Sequence, residues 1–185
     1  VRFIHFLKMS CFAIIRQTCQ FCKYGDESLI QITDNLKNIH IHTLSSRKII
    51  AADTSGPLGI IAALDERGRV YISSIMKRTN ELSFLTEGAD DIHIFSSGCI
   101  ITLNKRKLTS HSISGRVNST CELETDFTCI CKIEFDGFSE FLFCGLDNGS
   151  SLFLDAHTLH TAKVIDTDEN ITHSFFDRAR KKLVL

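Results

Sequence analysis

A single proline in 185 residues, and no tryptophan at all, set the first limits. Disordered linkers are rich in proline and poor in β-branched and aromatic residues. This chain instead carries fourteen phenylalanines beside many isoleucines and threonines, the usage of strands. Excess charge of one sign is also missing: 21 basic and 22 acidic residues leave a net charge of −1. That balance gives no global field to gather nucleic acid or an anionic membrane. Long apolar runs are lacking too, since no stretch approaches the ~20 residues that span a bilayer. The longest uncharged stretch near the start, Met9 to Ile15, sits at the short limit of a signal-peptide core, and no small-residue cleavage site follows it. What remains is ordinary globular usage, 43% hydrophobic and 23% charged, in a chain long enough to bury a core without disulfides.

Eight cysteines invite a disulfide framework, but their setting argues against one. Cys11, Cys99, Cys129, Cys131 and Cys144 fall inside apolar runs, not in the loops of a small stapled domain. Reduced cysteines in such places pack as small hydrophobes. The expectation is therefore a reducing compartment, the cytoplasm. Three glycosylation sequons begin at Asn118, Asn148 and Asn170; they matter only to a secreted chain.

The strongest positive signal is a recurrence. Apolar runs are broken by polar turns that start at Asp34, Asp65, Asn104 and Asp147, spaced 31, 39 and 43 residues apart. A hairpin repeating at about forty residues matches one propeller blade. The clearest unit is residues 127–168: strands at Phe127–Ile133, Glu140–Leu146, Ser151–Asp155 and Thr161–Ile165, with Asp147-Asn148-Gly149 as a turn whose residues tolerate positive φ. The plan predicts an all-β, partial propeller in one segment over 1–185. Its blades fall at about 17–44, 48–87, 92–125 and 127–168, with half blades at 1–16 and 171–185. In the first unit three strands are expected, at Cys19–Lys23, Ser28–Thr33 and Ile39–Thr43, with a fourth very short or absent. The half units fit either a piece of a longer propeller, completed by the rest of a larger chain, or a small closed ring of five blades, which would hide its strand edges.

The residues Phe143-Cys144-Gly145-Leu146-Asp147-Asn148-Gly149-Ser150, followed by Leu152-Phe153-Leu154-Asp155, resemble a WD repeat. The family's Trp-Asp pair falls on Leu154-Asp155, with leucine in place of tryptophan. The resemblance extends through 58–85 and 91–123. It implies a scaffold and no cofactor. No Gly-His pair opens any unit, so the family's Asp-His-Ser/Thr-Trp network is not carried over; only Asp155 keeps its position. The phrase from Lys48 to Leu64 is similar in rhythm to the C-terminal propellers of BEACH-domain (beige-like) proteins, which implies a role in vesicle or membrane trafficking.

Catalytic and metal chemistry find little support. Cys19-Gln20-Phe21-Cys22 has the spacing of half a zinc site, but a structural site needs four ligands, usually from two such pairs. Cys129 and Cys131, two apart in a strand, share a face and are expected in a core. His40 and His42 also share a strand face, with His5 the nearest third imidazole, short of a ligand set. His157 and His160 read as surface residues beyond Asp155. No Ser-His-Asp arrangement or phosphate loop is present, so the chain is expected not to be an enzyme and to hold no metal.

One charge pattern stands out. Loops between units are acidic (Glu87 to Asp91, Glu124 to Asp126, Asp166 to Glu169), whereas the intervening turns carry Arg67, Arg69, Lys105, Arg106 and Lys107. In a propeller these loops and turns share one face. A rim patterned in both signs selects partners and speeds their encounter. The five cations are the candidate partner-binding residues, and the expected function is a protein–protein scaffold. The alternatives are a propeller enzyme or sensor that holds a small molecule in the central channel, and a gene fragment that does not fold alone.

Overall fold

The computed structural model describes residues 13–16, 19–24, 28–33, 39–43, 45–75, 80–135, 139–166, 169–177 and 179–185. They form eighteen strands in four four-stranded antiparallel sheets and one two-stranded sheet, each in sequence order. The first sheet holds β1 (Ala13–Arg16), β2 (Cys19–Tyr24), β3 (Ser28–Thr33) and β4 (Ile39–Thr43). The second holds β5 (Ile49–Ser55), β6 (Ile60–Asp65), β7 (Arg69–Ser74) and β8 (Asn80–Leu85). The third comprises β9 (Asp91–Ile94), β10 (Ile100–Asn104), β11 (Lys107–His111) and β12 (Val117–Glu122). The fourth comprises β13 (Phe127–Glu134), β14 (Glu140–Leu146), β15 (Ser150–Asp155) and β16 (Thr161–Asp166). A hairpin of β17 (Phe175–Asp177) and β18 (Lys182–Val184) follows.

Period-two alternation decides how the sheets stack. On the third sheet, Ile92, Ile94 and Ile100 point at the second sheet and join Ala62, Leu64, Val70 and Ile72 in one buried cluster. Ile101 and Leu108 point the other way and meet Leu142, Cys144 and Leu154 of the fourth sheet. The fourth sheet in turn packs Cys131, Ile133 and Phe143 toward Phe176 and Leu183 of the hairpin. Each fully buried side chain of this size contributes about 1.5–3 kcal/mol, so the faces between sheets hold the protein together. From the second sheet on, first strands face one another, with β5 beside β9 and β13 beside β17. The last strands, β12 and β16, are largely exposed. Four-stranded sheets stacked face to face from an inner strand outward make this a partial β-propeller.

The start of the chain departs from the expectation. Residues 13–16 do not belong to a separate half blade: Arg16 pairs with Cys19 and Ala13 with Cys22, so β1 opens the first sheet. The first unit therefore has four strands, and the one that seemed missing lies before the other three. The sequence between Arg16 and Cys19 holds no Gly, Pro, Asn or Asp, so nothing in it announces a hairpin. Residues 1–12 lie outside the described residues.

Candidate interaction face

The turns between second and third strands lie along one edge, bonded to the segments that link successive sheets. Thr86 donates to the Gly68 carbonyl through its N–H at 2.7 Å and its hydroxyl at 2.8 Å. Asp90 N–H donates to Leu103 O at 2.6 Å, Leu123 N–H to Arg106 O at 2.9 Å and Asp147 N–H to Asp126 O at 3.1 Å. Gly68 has φ +79°, and any Cβ there would come within 2.7 Å of the Thr86 carbonyl oxygen. Only glycine allows so close an approach of turn and loop. Backbone bonds of this kind set the loops rigidly against the turns.

All five candidate cations fall on this edge, in two groups. Arg67 is exposed in the β6–β7 turn, while Arg69 begins β7, half buried, with its guanidinium 3.4 Å from the Ser83 hydroxyl. Lys105 is exposed at φ +40° in the β10–β11 turn. Arg106 pairs with Asp126, and Lys107 lies 3.6 Å from Glu87. Acidic loops and basic turns thus neutralise one another in place. Arg67 and Lys105 make no ion pair with another described residue.

Beneath the β6–β7 turn runs a relay that sequence reasoning missed. The buried Asp65 accepts from the N–H groups of Arg67 and Arg69, both at 2.9 Å, through Oδ1. Its Oδ2 accepts from the Tyr71 hydroxyl at 3.2 Å, and that hydroxyl accepts from Ser45 Oγ at 3.2 Å. A turn carboxylate, a strand aromatic and a residue entering the sheet are joined in this way. Asp65 opening a turn and a Tyr two places into the next strand were the available signals.

At the inner end, Lys132 of β13 reaches across β9 to β5. Its Nζ lies 2.6 Å from Asp53 Oδ2, 2.7 Å from Ile94 O and 3.5 Å from Thr54 O. Asp53 Oδ2 also accepts from Ile94 N–H at 2.9 Å. Innermost strands of three successive sheets are tied by one ion pair. A lone Lys or Asp within an apolar run was the overlooked signal, because such a charge needs a partner. On the opposite edge, buried Glu134 and Glu140, facing each other across β13 and β14, clasp the β9–β10 turn. Glu134 accepts from Ser96 N–H and hydroxyl at 2.8 and 2.9 Å; Glu140 accepts from Ser97 N–H at 2.8 Å and its hydroxyl at 2.5 Å.

No family model and no curated protein matches the chain by sequence. Solved structures match by shape. BBS1N in complex with ARL6DN superposes with TM-score 0.76 and 11% identity in a mercury-soaked crystal, over 91% of this chain and 57% of that one. In the lead-soaked crystal of the same complex the values are 0.75, 11%, 96% and 60%. The computationally designed Ika8 protein matches with TM-score 0.66 and 12% identity, over 89% and 52%. BBS1N is a β-propeller. At such low identity the likeness establishes the fold, and the chain spans little more than half the length of these proteins.

The remaining sequence candidates separate. Cys129 and Cys131 share a face in the cluster with Ile133 and Phe143, and Cys99, Cys121, Cys129, Cys131 and Cys144 are all free. Cys19 and Cys22 fall within β2, His40 and His42 within β4, strands whose side chains lie outside the described residues, as do Cys11 and His5. Among the described residues no group of three or more His, Cys, Asp or Glu converges, and no helix is long and apolar enough to cross a membrane. His157 is tied down more than expected, with Nε2 3.3 Å from buried Glu140. Asp155 closes the turn after β15 by accepting from His157 N–H and from Thr158 N–H and hydroxyl. Burial alone would raise its pKa; the bonds from Thr158 and His157 outweigh that and hold the carboxyl below the usual range.

Proposed function

We propose that this chain is a non-enzymatic platform for protein–protein contacts, working in the cytoplasm as part of a larger protein in vesicle or membrane trafficking. The observation that carries the reading is the turn edge. Backbone hydrogen bonds fix successive turns and loops in place, and Arg67 and Lys105 project from neighbouring turns beside acidic loops. A preset edge of this kind loses little entropy on docking, and its mixed charges select complementary partners. The partner-binding residues proposed are Arg67 and Lys105, with Arg69, Arg106 and Lys107 holding the turns that present them. The crystallised pairing of BBS1N with ARL6DN supports such a use of the fold, and the rhythm shared with BEACH-domain propellers supports the trafficking setting.

Quantitative affinity capture tests this. The chain and its Arg67→Glu/Lys105→Glu variant are compared, with Arg116→Glu as an exposed control. Proteins that bind the parent and the control but are lost from the double variant support the platform. An unchanged set from all three removes this edge from consideration. A ligand in the channel is less well supported, because one charged pair of the innermost strands, Asp53 and Lys132, is already satisfied within the protein.

A further inference from the structure

Between the second and third sheets lies a pocket of about 310 Å³. Its deepest groups are polar: Thr102 and His111 are buried and share a 3.0 Å hydrogen bond. Its mouth is apolar where Leu85 of β8 and Val117 of β12, both more than half exposed, line it from the two sheets. Polarity thus increases with depth. Its walls also fix where it opens. Thr86 is the residue bonded twice to Gly68 in the turn of Arg67. Asn104 and Lys107, also in the wall, bracket Lys105 in the β10–β11 turn. The pocket therefore sits between the two turns that present Arg67 and Lys105.

We infer that this pocket receives a tyrosine side chain from a protein partner, within a segment that carries acidic residues on both sides of the tyrosine. The inference rests on the platform reading above and names the anchor that a partner brings to the turn edge. The volume is at the small end of the roughly 300–1,000 Å³ of ligand pockets, room for one large side chain. A phenol matches the gradient of polarity. Its ring meets Leu85 and Val117, and its hydroxyl reaches the floor, where the Thr102 oxygen has a second lone pair to accept a hydrogen bond. Tyrosine hydroxyls seek such a partner when buried, and tyrosine is enriched among the side chains that anchor interfaces. Other anchors fit less well. Phenylalanine would cover the polar floor and give it no bond. A lysine or arginine would meet Lys107, and a carboxylate would lose its water between two aliphatic side chains. The acidic flanks follow from Arg67 and Lys105, which make no ion pair with another described residue and so attract charge of the opposite sign.

The probe is a short fluorescent peptide with one tyrosine between two pairs of glutamates, titrated against the full 185-residue chain by anisotropy. Versions with phenylalanine or alanine at the centre are compared with it. Saturable binding is expected, weakened about fivefold to tenfold by phenylalanine, the loss of one hydrogen bond, and about thirtyfold or more by alanine. Leu85→Asp, at an exposed position, should weaken the tyrosine peptide about tenfold and leave the alanine peptide unchanged. In methyl NMR spectra, Thr102 and Val117 should shift with the tyrosine peptide and not with the alanine one. Arg67→Glu/Lys105→Glu should weaken all three peptides and preserve their ranking. Equal binding of the three peptides, still lost on that charge reversal, would overturn the tyrosine pocket and leave the platform standing. Absence of binding, indifference to Leu85→Asp, or methyl shifts confined to other sheets would also overturn the inference, with the platform itself judged by the affinity capture above.

Discussion

Lys132 and Asp53, 79 residues apart in sequence, meet at 2.6 Å across the innermost strand of the sheet between them. Their side chains are 17% and 15% exposed. Lys132 also sits 5.9 Å from the centre of the Phe95 ring. An ammonium this far from water is stable only when paired and hydrogen-bonded, and two backbone carbonyls and a carboxylate supply those partners. The pair lies where three sheets converge, so it reports on their convergence more sharply than any apolar contact does.

The Asp65–Tyr71–Ser45 relay stabilises the turn that presents Arg67. Tyr71→Phe keeps the ring and removes the hydroxyl, leaving Asp65 Oδ2 and the Ser45 hydroxyl short of a partner. We expect a loss of about 1–2 kcal/mol, read from the urea midpoint at unchanged slope. A neutral result would mean that water replaces the hydroxyl without cost.

His111 stacks on Phe84 at 5.2 Å and shares a 3.0 Å hydrogen bond with Thr102. Burial pushes its pKa below the ordinary histidine value, a shift the nearby Gly115 backbone offsets only in part. The unfolded chain then takes up the proton first as pH falls. Stability from this group is complete above the unfolded value of about 6.5 and declines below it. Urea midpoints should drop between pH 7 and pH 5 in the parent protein, and the drop should be smaller in His111→Gln. Equal slopes in the two proteins would contradict this account of the site.

Cys99 is buried, with its sulfur 3.3 Å from the Ser110 hydroxyl and 3.2 Å from the Ala156 carbonyl. Burial first, with Glu140 and Asp155 adding to it, pushes the thiol up to about 11 against the opposing hydrogen bond from Ser110. Thiolates are the reactive species. Alkylation at pH 8, followed by peptide mass spectrometry, should modify half-buried Cys121 well before Cys99. Cys99 should react only on unfolding.

Much of the fold was legible because alternation and turn chemistry repeat. Glu140–Leu146 was read to the residue, and the other strands of the fourth sheet begin and end within a residue of the runs expected. β1 was misplaced because its connection lacks turn residues, so a break between units and a hairpin look alike. The candidate cations were readable as a rim, since loops and turns alternate in charge. Their local pairing was not: Arg106 with Asp126 and Lys107 with Glu87 depend on how loops fold back, which composition does not encode. Lys132 and Asp53 were visible as charges in apolar strands, yet only the stacking of three sheets shows that each is the other's partner. The Glu134–Glu140 clasp on Ser96 and Ser97 likewise depends on neighbouring sheets meeting in register.

Sheets two to four converge at their first strands, and a double-mutant cycle on Lys132→Met and Asp53→Asn measures that convergence directly. Each single change should cost about 2–3 kcal/mol, somewhat less than the penalty for breaking a fully buried pair. The coupling between them should be about 1–3 kcal/mol. Additive effects, with coupling indistinguishable from zero, would mean that the two residues do not meet and that the innermost strands are not arranged as described.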